Sequence, residues 1–233
     1  MTNERRTEIQ RNLDEVNARV DAACVAAHRP RSSVHLLAVT KTFPASDVDV
    51  LAELGCTDVG ESRDQEARAK KEEVQADLRW HMIGQVQRKK AKQIAMWADL
   101  VESVDRPELA DALQLGAQGA HKHLGVLIQI SLDPAGTQNR GGVDRDQVEA
   151  LAEHILTLSH LTLAGVMAVA PLGSDPEAAF ALLASAHQRL LSVAPGAQMV
   201  SAGMSGDLEA AIVHGATQVR IGGALLGNRP PLT

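Results

Sequence analysis

The chain of 233 residues is 45% hydrophobic but only 2% aromatic, and it carries a formal net charge of −6. This length suits one large α/β domain, whose core must be built from Ala, Val, Leu and Ile. The negative charge argues against a general nucleic-acid-binding protein. The absence of Tyr excludes any mechanism in which a phenol acts as acid or base.

The cysteines and the N-terminal segment indicate where the protein works. Cys24 and Cys56 are the only cysteines, and their spacing fits neither a metal site nor a disulfide framework. Such sparse use of cysteine favours a reducing compartment. The chain begins without an apolar signal segment, and no window approaches about 18 apolar residues. We therefore expect a cytoplasmic protein that is neither secreted nor inserted in a membrane.

Apolar periodicity divides the chain into regular elements. Residues 4–27 carry an apolar side chain every three or four positions, which predicts an N-terminal amphipathic helix. Short apolar runs then alternate with helical stretches. The runs predict strands at 35–40, 57–61, 80–84, 100–104, 123–131, 162–169, 197–202 and 218–222. The stretches between them predict helices at 46–54, 63–76, 88–97, 107–117, 144–158, 176–193 and 206–214.

This alternation predicts a single (β/α)8 TIM barrel of the α/β class over residues 1–233, preceded by the N-terminal helix. A doubly wound open sheet is the alternative, because the number of strands does not prove closure. The glycine-rich connection 133–143 follows the fifth strand, so in a barrel it lies over the active face. It is either a mobile flap or an ordinary surface loop.

Lys41 ends the first predicted strand, and Pro44 closes that strand soon after. Barrel enzymes keep their chemistry at the carboxyl ends of the strands. A partly desolvated lysine loses proton affinity and can form a Schiff base with an aldehyde. The alternative is a lysine that extends from the strand end into solvent.

The loops after the seventh and eighth strands have the composition of a phosphate site. Gly203 and Gly206 allow a close backbone approach, Ser205 offers a hydroxyl group, and Gly222 and Gly223 expose backbone N–H groups. Each feature alone also fits ordinary helix capping or a bend after a strand. Their joint occurrence after the last two strands favours phosphate binding.

Arg220 lies two positions before the paired glycines and is predicted to point to the barrel mouth, towards Lys41. An aldehyde-reactive lysine, a phosphate site and a nearby cation together fit pyridoxal 5′-phosphate (PLP). Since arginine keeps its proton, Arg220 would face an unprotonated ring nitrogen, and such a ring is a poor electron sink. This site disfavours transamination and permits at most mild racemase-like proton exchange.

Three further residues are weighed on their position alone. Met167 and Met204 are expected to line the pocket as apolar walls, although both would serve equally well as core filling. His81, in the third strand, could carry a proton inside the barrel, but a hydrogen-bonded core histidine is the more common outcome.

The chain resembles the pyridoxal phosphate homeostasis proteins, which share the fold of the barrel domain of bacterial alanine racemase. The resemblance covers almost the whole chain and is carried by residues 37–42, 59–66, 80–84, 165–168, 203–207 and 219–222, with Gln87 and Lys90. It implies a cytoplasmic protein that holds PLP as a Schiff base on Lys41, with little or no catalysis. It also implies that the protein buffers PLP or passes it to apo-enzymes. In this family pattern Ser205 and Gly222 contact the phosphate and Arg220 the ring.

Three residues depart from the family pattern. Val86 stands before Gln87 where Leu is usual, which is a conservative change. Ser62 replaces the usual Asn near the cofactor, so a polar contact is lost or passes to water. Gly223 replaces the usual Thr, which removes a hydroxyl group worth about 1 kcal/mol if it touches phosphate. The expected cofactor set is Lys41, Ser62, Met204, Ser205, Arg220, Gly222 and Gly223, without a metal.

Two enzymatic alternatives remain open. A PLP enzyme acting on amino acids needs a second base and an arginine for the substrate carboxylate, a role that Arg140 could fill. Racemases take that base, a Tyr, from a separate C-terminal domain, so we expect no racemisation by that mechanism from a chain that lacks Tyr. A Schiff-base aldolase acting on a sugar phosphate would carry its lysine on a middle strand. We expect a monomer, because no heptad repeat or apolar patch demands a partner.

Overall fold

The eight strands close into one parallel barrel. The computed structural model of the chain describes residues 3–133 and 141–227. Each strand pairs with the next in chain order, and β8 pairs with β1, so the predicted (β/α)8 barrel is confirmed and the open sheet is excluded. The strands are β1 (His35–Val39), β2 (Asp58–Glu61), β3 (Arg79–Met82), β4 (Leu100–Val104), β5 (Leu124–Gln129), β6 (Leu161–Met167), β7 (Met199–Ser201) and β8 (Gln218–Ile221).

Helices surround the barrel because each strand is followed by an amphipathic stretch that covers its outer face. In the described part of the chain they are α1 (Asn3–Ala26), α2 (Ala45–Glu53), α3 (Asp64–Glu73), α4 (Ala91–Trp97), α5 (Pro107–Gly119), α6 (Val148–Leu156), α7 (Pro176–Val193), α8 (Leu208–Val213) and α9 (Gly223–Leu226). None of the helices in residues 3–133 and 141–227 is long and apolar enough to cross a membrane.

Helix α1 packs across the barrel on α8 and α9. Its apolar stripe is buried, as the spacing of these residues predicts. Two of its polar side chains reach the end of α9: Asn12 Nδ2 donates to Leu225 O at 2.9 Å, and Arg5 Nη2 donates to Leu226 O at 3.0 Å. These bonds satisfy carbonyl groups that a helix end leaves open. Helix α1 therefore fixes the short helix that follows β8.

Most element ends lie within one to three residues of the sequence prediction, and the larger differences concern short helical turns. Two predicted helices, 88–97 and 144–158, begin as 3-10 turns at Arg88–Lys90 and Arg145–Gln147. Helix α9 was not predicted, because four residues are too few to show a helical period. Most of the predicted flap, including Arg140, lies outside the described residues. Its last residue, Val143, bridges to Ile130 beside β5.

The barrel separates two apolar regions. The main core lies between the strands and the surrounding helices. A smaller cluster of Leu100, Leu127 and Met167 is separate from it. Leu100 is two residues from Glu102 on β4, so both side chains lie on the inner face of the barrel. Met167, predicted as a pocket wall or core filling, is 2% exposed and fills this inner core.

Candidate functional site

Lys41 lies at the carboxyl end of β1 and is partly buried. Leu37 pairs in register with Arg220 of β8, and paired residues share one face of a sheet. Side chains alternate along a strand, so positions 37, 39 and 41 belong to the same, inner face. The fold therefore brings Lys41 and Arg220 to the same end of the barrel interior, as the sequence predicts.

The backbone on both sides of Lys41 is held from behind the strand. Thr40 Oγ1 donates to Glu61 Oε1 at 2.7 Å, and Lys70 Nζ donates to Thr40 O, also at 2.7 Å. Lys70 also forms ion pairs with Glu61 and, at 3.2 Å, with Glu66. We call Thr40, Glu61, Glu66 and Lys70 the outer cluster, because it lies between the sheet and helix α3.

The outer cluster also supports an unusual backbone conformation. Thr42 has a φ of 71°, in the left-handed region that β-branched residues avoid. Its backbone N–H donates to Glu66 Oε1. Such a conformation costs on the order of 1–3 kcal/mol and persists only where neighbouring contacts enforce it. Bonds to both neighbours of Lys41 thus fix where its side chain leaves the strand.

Arg220 is almost fully buried, with 5% of its surface exposed. Its Nη1 donates to Ser201 O at 2.7 Å and to Ser201 Oγ at 2.8 Å, and its Nη2 donates to Ala168 O at 2.7 Å. These bonds use three of the five N–H donors of a guanidinium. Burial lowers the pKa of Arg220, while the charges of Glu102 and Asp207 raise it. Arginine keeps its proton in either case.

Glu102 is the buried carboxylate nearest to this arginine in the hydrogen-bond network. Ser201 Oγ donates to Glu102 Oε2 at 2.6 Å, and Gln218 Nε2 donates to Glu102 Oε1 at 2.8 Å. His81 Nδ1 lies 2.7 Å from Glu102 Oε1, and His81 Nε2 lies 3.1 Å from Asp58 Oδ1. We call the connected residues the inner cluster; they are Asp58, His81, Glu102, Ser201, Gln218 and Arg220.

The pKa shifts within the inner cluster agree with an ionised network. Burial acts to lower the pKa of His81, but the bonds to Asp58 and Glu102 raise it overall. Burial acts to raise the pKa of Asp58, but the bonds from His81 and Thr57 lower it to about 2. The pKa of Glu102 is also lowered, since the contact with His81 outweighs burial. Both ring nitrogens of His81 lie within hydrogen-bond distance of a carboxylate oxygen, and an ionised carboxylate can only accept, so the contacts favour a doubly protonated His81. This matches the core-histidine interpretation.

The loop after β7 is tightly constrained. Gly203 has a φ of +87°, and a Cβ there would lie 2.7 Å from the Ala211 side chain, so only glycine fits. Asp207 Oδ1 accepts the Met204 N–H at 2.6 Å. Ser205 lies in the turn that this bond closes between Met204 and Asp207, and it is partly buried. Met204, predicted as a pocket wall, is 40% exposed at the rim.

The loop after β8 leads directly into α9. A Cβ on Gly222 would lie 3.3 Å from Val39 O, whereas a Cβ on Gly223 would meet nothing within 4 Å. The first N–H to donate inside this turn belongs to Leu225, which bonds Gly222 O at 2.9 Å. The preceding N–H groups belong to the start of a helix, where no intrahelical acceptor exists. Gly222 and Gly223 can therefore offer N–H groups to an anion.

Ser62 follows β2 beside the end of β1. Val39 pairs with Gly60, so extending the register by two residues places Ser62 opposite Lys41. A Cβ on Gly84 would lie 2.3 Å from Ser62 O, which shows how closely the chain after β3 approaches. The fold thus brings Lys41, Ser62 and the loops after β7 and β8 to the carboxyl end of the barrel.

Four members of the inner cluster were not singled out from the sequence. They are Asp58, Glu102, Ser201 and Gln218. The available signal was a polar side chain inside an apolar strand, as in the β4 segment around Glu102. Such a residue is costly to bury without partners. The strand pattern alone does not predict which side chains become partners of such a residue when the barrel closes.

Comparison with known proteins agrees with this geometry. A family model described as the N-terminal domain of alanine racemase matches residues 9–230. The pyridoxal phosphate homeostasis protein of Corynebacterium glutamicum is 46% identical over 222 residues, which cover 92% of this chain and 99% of that protein. The protein of the same name from Mycobacterium tuberculosis is 41% identical over 97% of this chain and 95% of its own.

Solved structures give the same result. PipY of Synechococcus elongatus PCC7942, solved with PLP bound, is 30% identical with a TM-score of 0.82, covering 94% of this chain and 100% of that one. Alanine racemase from Corynebacterium glutamicum has a TM-score of 0.68 at 18% identity, covering 95% of this chain and 63% of that one. The racemase likeness shows the fold alone. The chain belongs to the family of pyridoxal phosphate homeostasis proteins.

Proposed function

We propose that this protein binds PLP covalently on Lys41 and serves PLP homeostasis, with little or no catalysis of its own. The observation that carries the proposal is the meeting of Lys41, the buried Arg220 and the Gly222–Gly223 turn at one end of the barrel. The relatives named for PLP homeostasis and the PLP-bound PipY structure support it.

The residues present fit each part of this cofactor. Gly222 and Gly223 offer N–H groups for the phosphate, and the space over Gly223 leaves room beside them. Ser205 adds a hydroxyl group from the loop after β7. The bonds of Arg220 within the described residues leave two of its N–H donors for a ring nitrogen. Lys41 supplies an amine that can join an aldehyde carbon, with water as the leaving molecule.

Weak catalysis follows from the groups around the ring position. Bound PLP supplies an aldehyde and an electron-accepting ring, and the ring accepts electrons well only when its nitrogen is protonated. Arg220 donates hydrogen bonds and has no proton to release, so it favours the unprotonated nitrogen. The carboxylates beside Lys41, Glu61 and Glu66, are engaged by Lys70 on the helix side of the sheet. They are therefore poorly placed to serve as a second base.

We propose further roles for individual residues and for the protein in the cell. Ser62, after β2, and Met204, after β7, flank the cofactor from either side of β8 and β1. The protein acts as a cytoplasmic monomer that passes PLP to apo-enzymes. Both cysteines are unpaired, which suits a reducing compartment. The complete proposed cofactor set is Lys41, Ser62, Met204, Ser205, Arg220, Gly222 and Gly223.

The direct test is to add PLP to the purified protein, record its absorbance, reduce with borohydride and map the labelled peptide. We expect a borohydride-stable label on Lys41, which Lys41→Ala abolishes. Lys89→Ala, at an exposed lysine, serves as the matched control and should label like the wild type. A label on other lysines only, or no saturable label, would contradict the proposal.

A second assay separates a carrier from an enzyme. The loaded protein is incubated with L- and D-amino acids, and separately with an apo-enzyme that requires PLP. We expect recovery of the apo-enzyme's activity and negligible conversion of the amino acids. Rapid racemisation or transamination abolished by Lys41→Ala would favour the enzymatic alternative.

A further inference from the structure

The inner cluster forms a connected line of charges through the barrel, beneath the candidate site. It runs from Asp58, at the amino end of β2, through His81 and Glu102 to Arg220 in β8. His81, Glu102 and Ser201 are fully buried. Two cations and two carboxylates alternate along this line, so their charges cancel. Nothing in the proposed chemistry at Lys41 requires such an expensive buried arrangement.

The direction of one hydrogen bond links Glu102 to Arg220. Ser201 Oγ has a single hydrogen and two acceptor lone pairs. Arg220 Nη1, at 2.8 Å, and Gln218 Nε2, at 3.0 Å, can only donate to it. The Ser201 hydrogen must therefore point to Glu102 Oε2, 2.6 Å away. The Ser201 hydroxyl group thus donates one hydrogen bond and accepts two. Because it bonds both Glu102 and Arg220, the position of the carboxylate determines the position of the guanidinium.

The guanidinium is fixed by this arrangement in both place and plane. Ser201 O and Ala168 O accept further N–H groups from Arg220, each at 2.7 Å. A guanidinium is planar and rigid, so contacts at Nη1 and Nη2 also determine where its remaining donors point. His81 and Gln218 in turn hold Glu102 Oε1, at 2.7 and 2.8 Å. The carboxylate is thus fixed from two further strands.

We propose that Glu102 is a positioning residue for the ring-facing arginine: acting through the Ser201 hydroxyl, it fixes the orientation of Arg220 and compensates its charge. The proposal rests on the proposed function only in assigning Arg220 to the cofactor ring. Its consequence is that removing the Glu102 charge leaves the positive charge of Arg220 less compensated beneath Lys41. A cation there lowers the proton affinity of nitrogen atoms above it.

The charged groups around this pair define what else can titrate. His81 and Asp58 lie behind Glu102, and Arg79 lies 3.4 Å from Asp58 at the other end of the barrel. Asp207 acts on Arg220 from the loop after β7. Lys41 follows the carboxyl end of β1, above the pair. Glu102→Gln keeps the shape of the side chain and changes the charge of one group in this set.

The first measurement is the pH profile of the absorbance of the PLP-loaded protein. For Glu102→Gln we expect the midpoint of the pH-dependent absorbance change to move to lower pH, by several tenths of a unit to about one unit. Ser201→Ala removes the bridging hydroxyl but keeps the carboxylate, so a smaller shift in the same direction is expected. Leu113→Ala, at a fully buried helix position, is the control for lost stability and should leave the midpoint unchanged.

The second measurement needs no cofactor. In the ligand-free protein labelled with ¹⁵N, the N–H signals of a fixed Arg220 guanidinium should be resolved and protected from solvent exchange. Glu102→Gln and Ser201→Ala should each weaken that protection about tenfold or more, whereas Leu113→Ala should not. Unchanged protection in both variants would overturn the proposal, as would an unchanged pH midpoint in folded Glu102→Gln. If the wild type fails to bind PLP, the proposed function fails, and the guanidinium signals still decide the positioning role.

Discussion

The inner and outer clusters lie on opposite faces of the same barrel sheet, and each places buried cations against buried carboxylates. In the inner cluster Arg220 and His81 accompany Glu102 and Asp58. In the outer cluster a single ammonium, on Lys70, serves both Glu61 and Glu66. The inner cluster orients a side chain that points to the candidate site. The outer cluster holds the backbone from which Lys41 extends.

The two clusters also differ in how completely their polar atoms are paired. Both oxygens of Glu102 accept hydrogen bonds, from Ser201 on one side and from His81 and Gln218 on the other. Glu61 accepts bonds only at Oε1, and among the described residues its Oε2 has no partner. An incompletely satisfied buried charge depends heavily on the partner that remains. The outer cluster should therefore be the more fragile of the two.

The largest effect is expected when the outer cluster is broken by Lys70→Met. This change removes a 5%-exposed ammonium and leaves the fully buried Glu61 without its cation. We expect the free energy of unfolding at pH 7, measured with urea, to fall by about 3–5 kcal/mol. Lys89→Met is the control at an exposed lysine and should change it by less than about 0.5 kcal/mol.

The pH dependence of that loss identifies Glu61 as its cause. Burial already raises the pKa of Glu61, against the opposing effect of Lys70. Without Lys70 the folded-state pKa of Glu61 rises further above its unfolded value. Protonated Glu61 is then tolerated in the folded state at low pH, and this stability is lost as pH rises through the folded-state pKa. The deficit of Lys70→Met should therefore be smaller at pH 5 than at pH 7. An equal deficit at both values would assign it to lost packing instead.

A smaller effect is expected from titrating His81 in the inner cluster. Its pKa is raised above the ordinary value of 6.5. The stability it contributes is fully present below pH 6.5 and is lost as pH rises through the folded-state pKa, by about 1.4 kcal/mol per pKa unit of difference. We expect this decline in urea unfolding of the wild type as pH rises above 6.5, and a flatter profile for His81→Asn. Parallel profiles for the two proteins would contradict the imidazolium assignment.

The titration of Asp58, the other end of the inner cluster, does not interfere with the measurement on His81. The pKa of Asp58 is lowered to about 2, so its contribution is present above its ordinary value of 3.8 and is lost as pH falls through 2. The pH range above 6.5 in which His81 titrates therefore lies above the titration of this carboxylate.

The smallest effect is expected at Gly223, which belongs to neither cluster. A Cβ there meets nothing within 4 Å, so Thr can be introduced without a clash and can offer a hydroxyl group to phosphate. We expect Gly223→Thr to tighten PLP binding by about fivefold, corresponding to about 1 kcal/mol, as measured by fluorescence titration. Gly223→Ala is the matched control without a hydroxyl group. Equal affinities of the two variants would show that this hydroxyl contributes nothing.

The fold was predictable because each strand and most helices carry their own apolar period. The unpredicted α9 has four residues, and its place depends on Asn12 and Arg5 of α1, more than 200 residues away along the chain. Likewise, the sequence shows Glu102 in the middle of the apolar strand β4, but it does not predict the partners of this carboxylate. Glu102 meets Ser201 at a separation of 99 residues and Gln218 at 116.

The sequence by itself determined the alternation of strands and helices, the lysine at the end of the first strand and the glycines after the last two strands. These features are local, since a strand period, a chain reversal and a left-handed glycine each involve only a few neighbouring residues. The tertiary structure decided which buried polar side chains meet. Closure of the barrel brings the inner faces of β2, β3, β4, β7 and β8 together. Only then do Glu102 and His81 acquire their partners, and only then is Arg220 held beneath Lys41. The physical reason is that a buried charge is stable only where opposite charges and hydrogen bonds surround it.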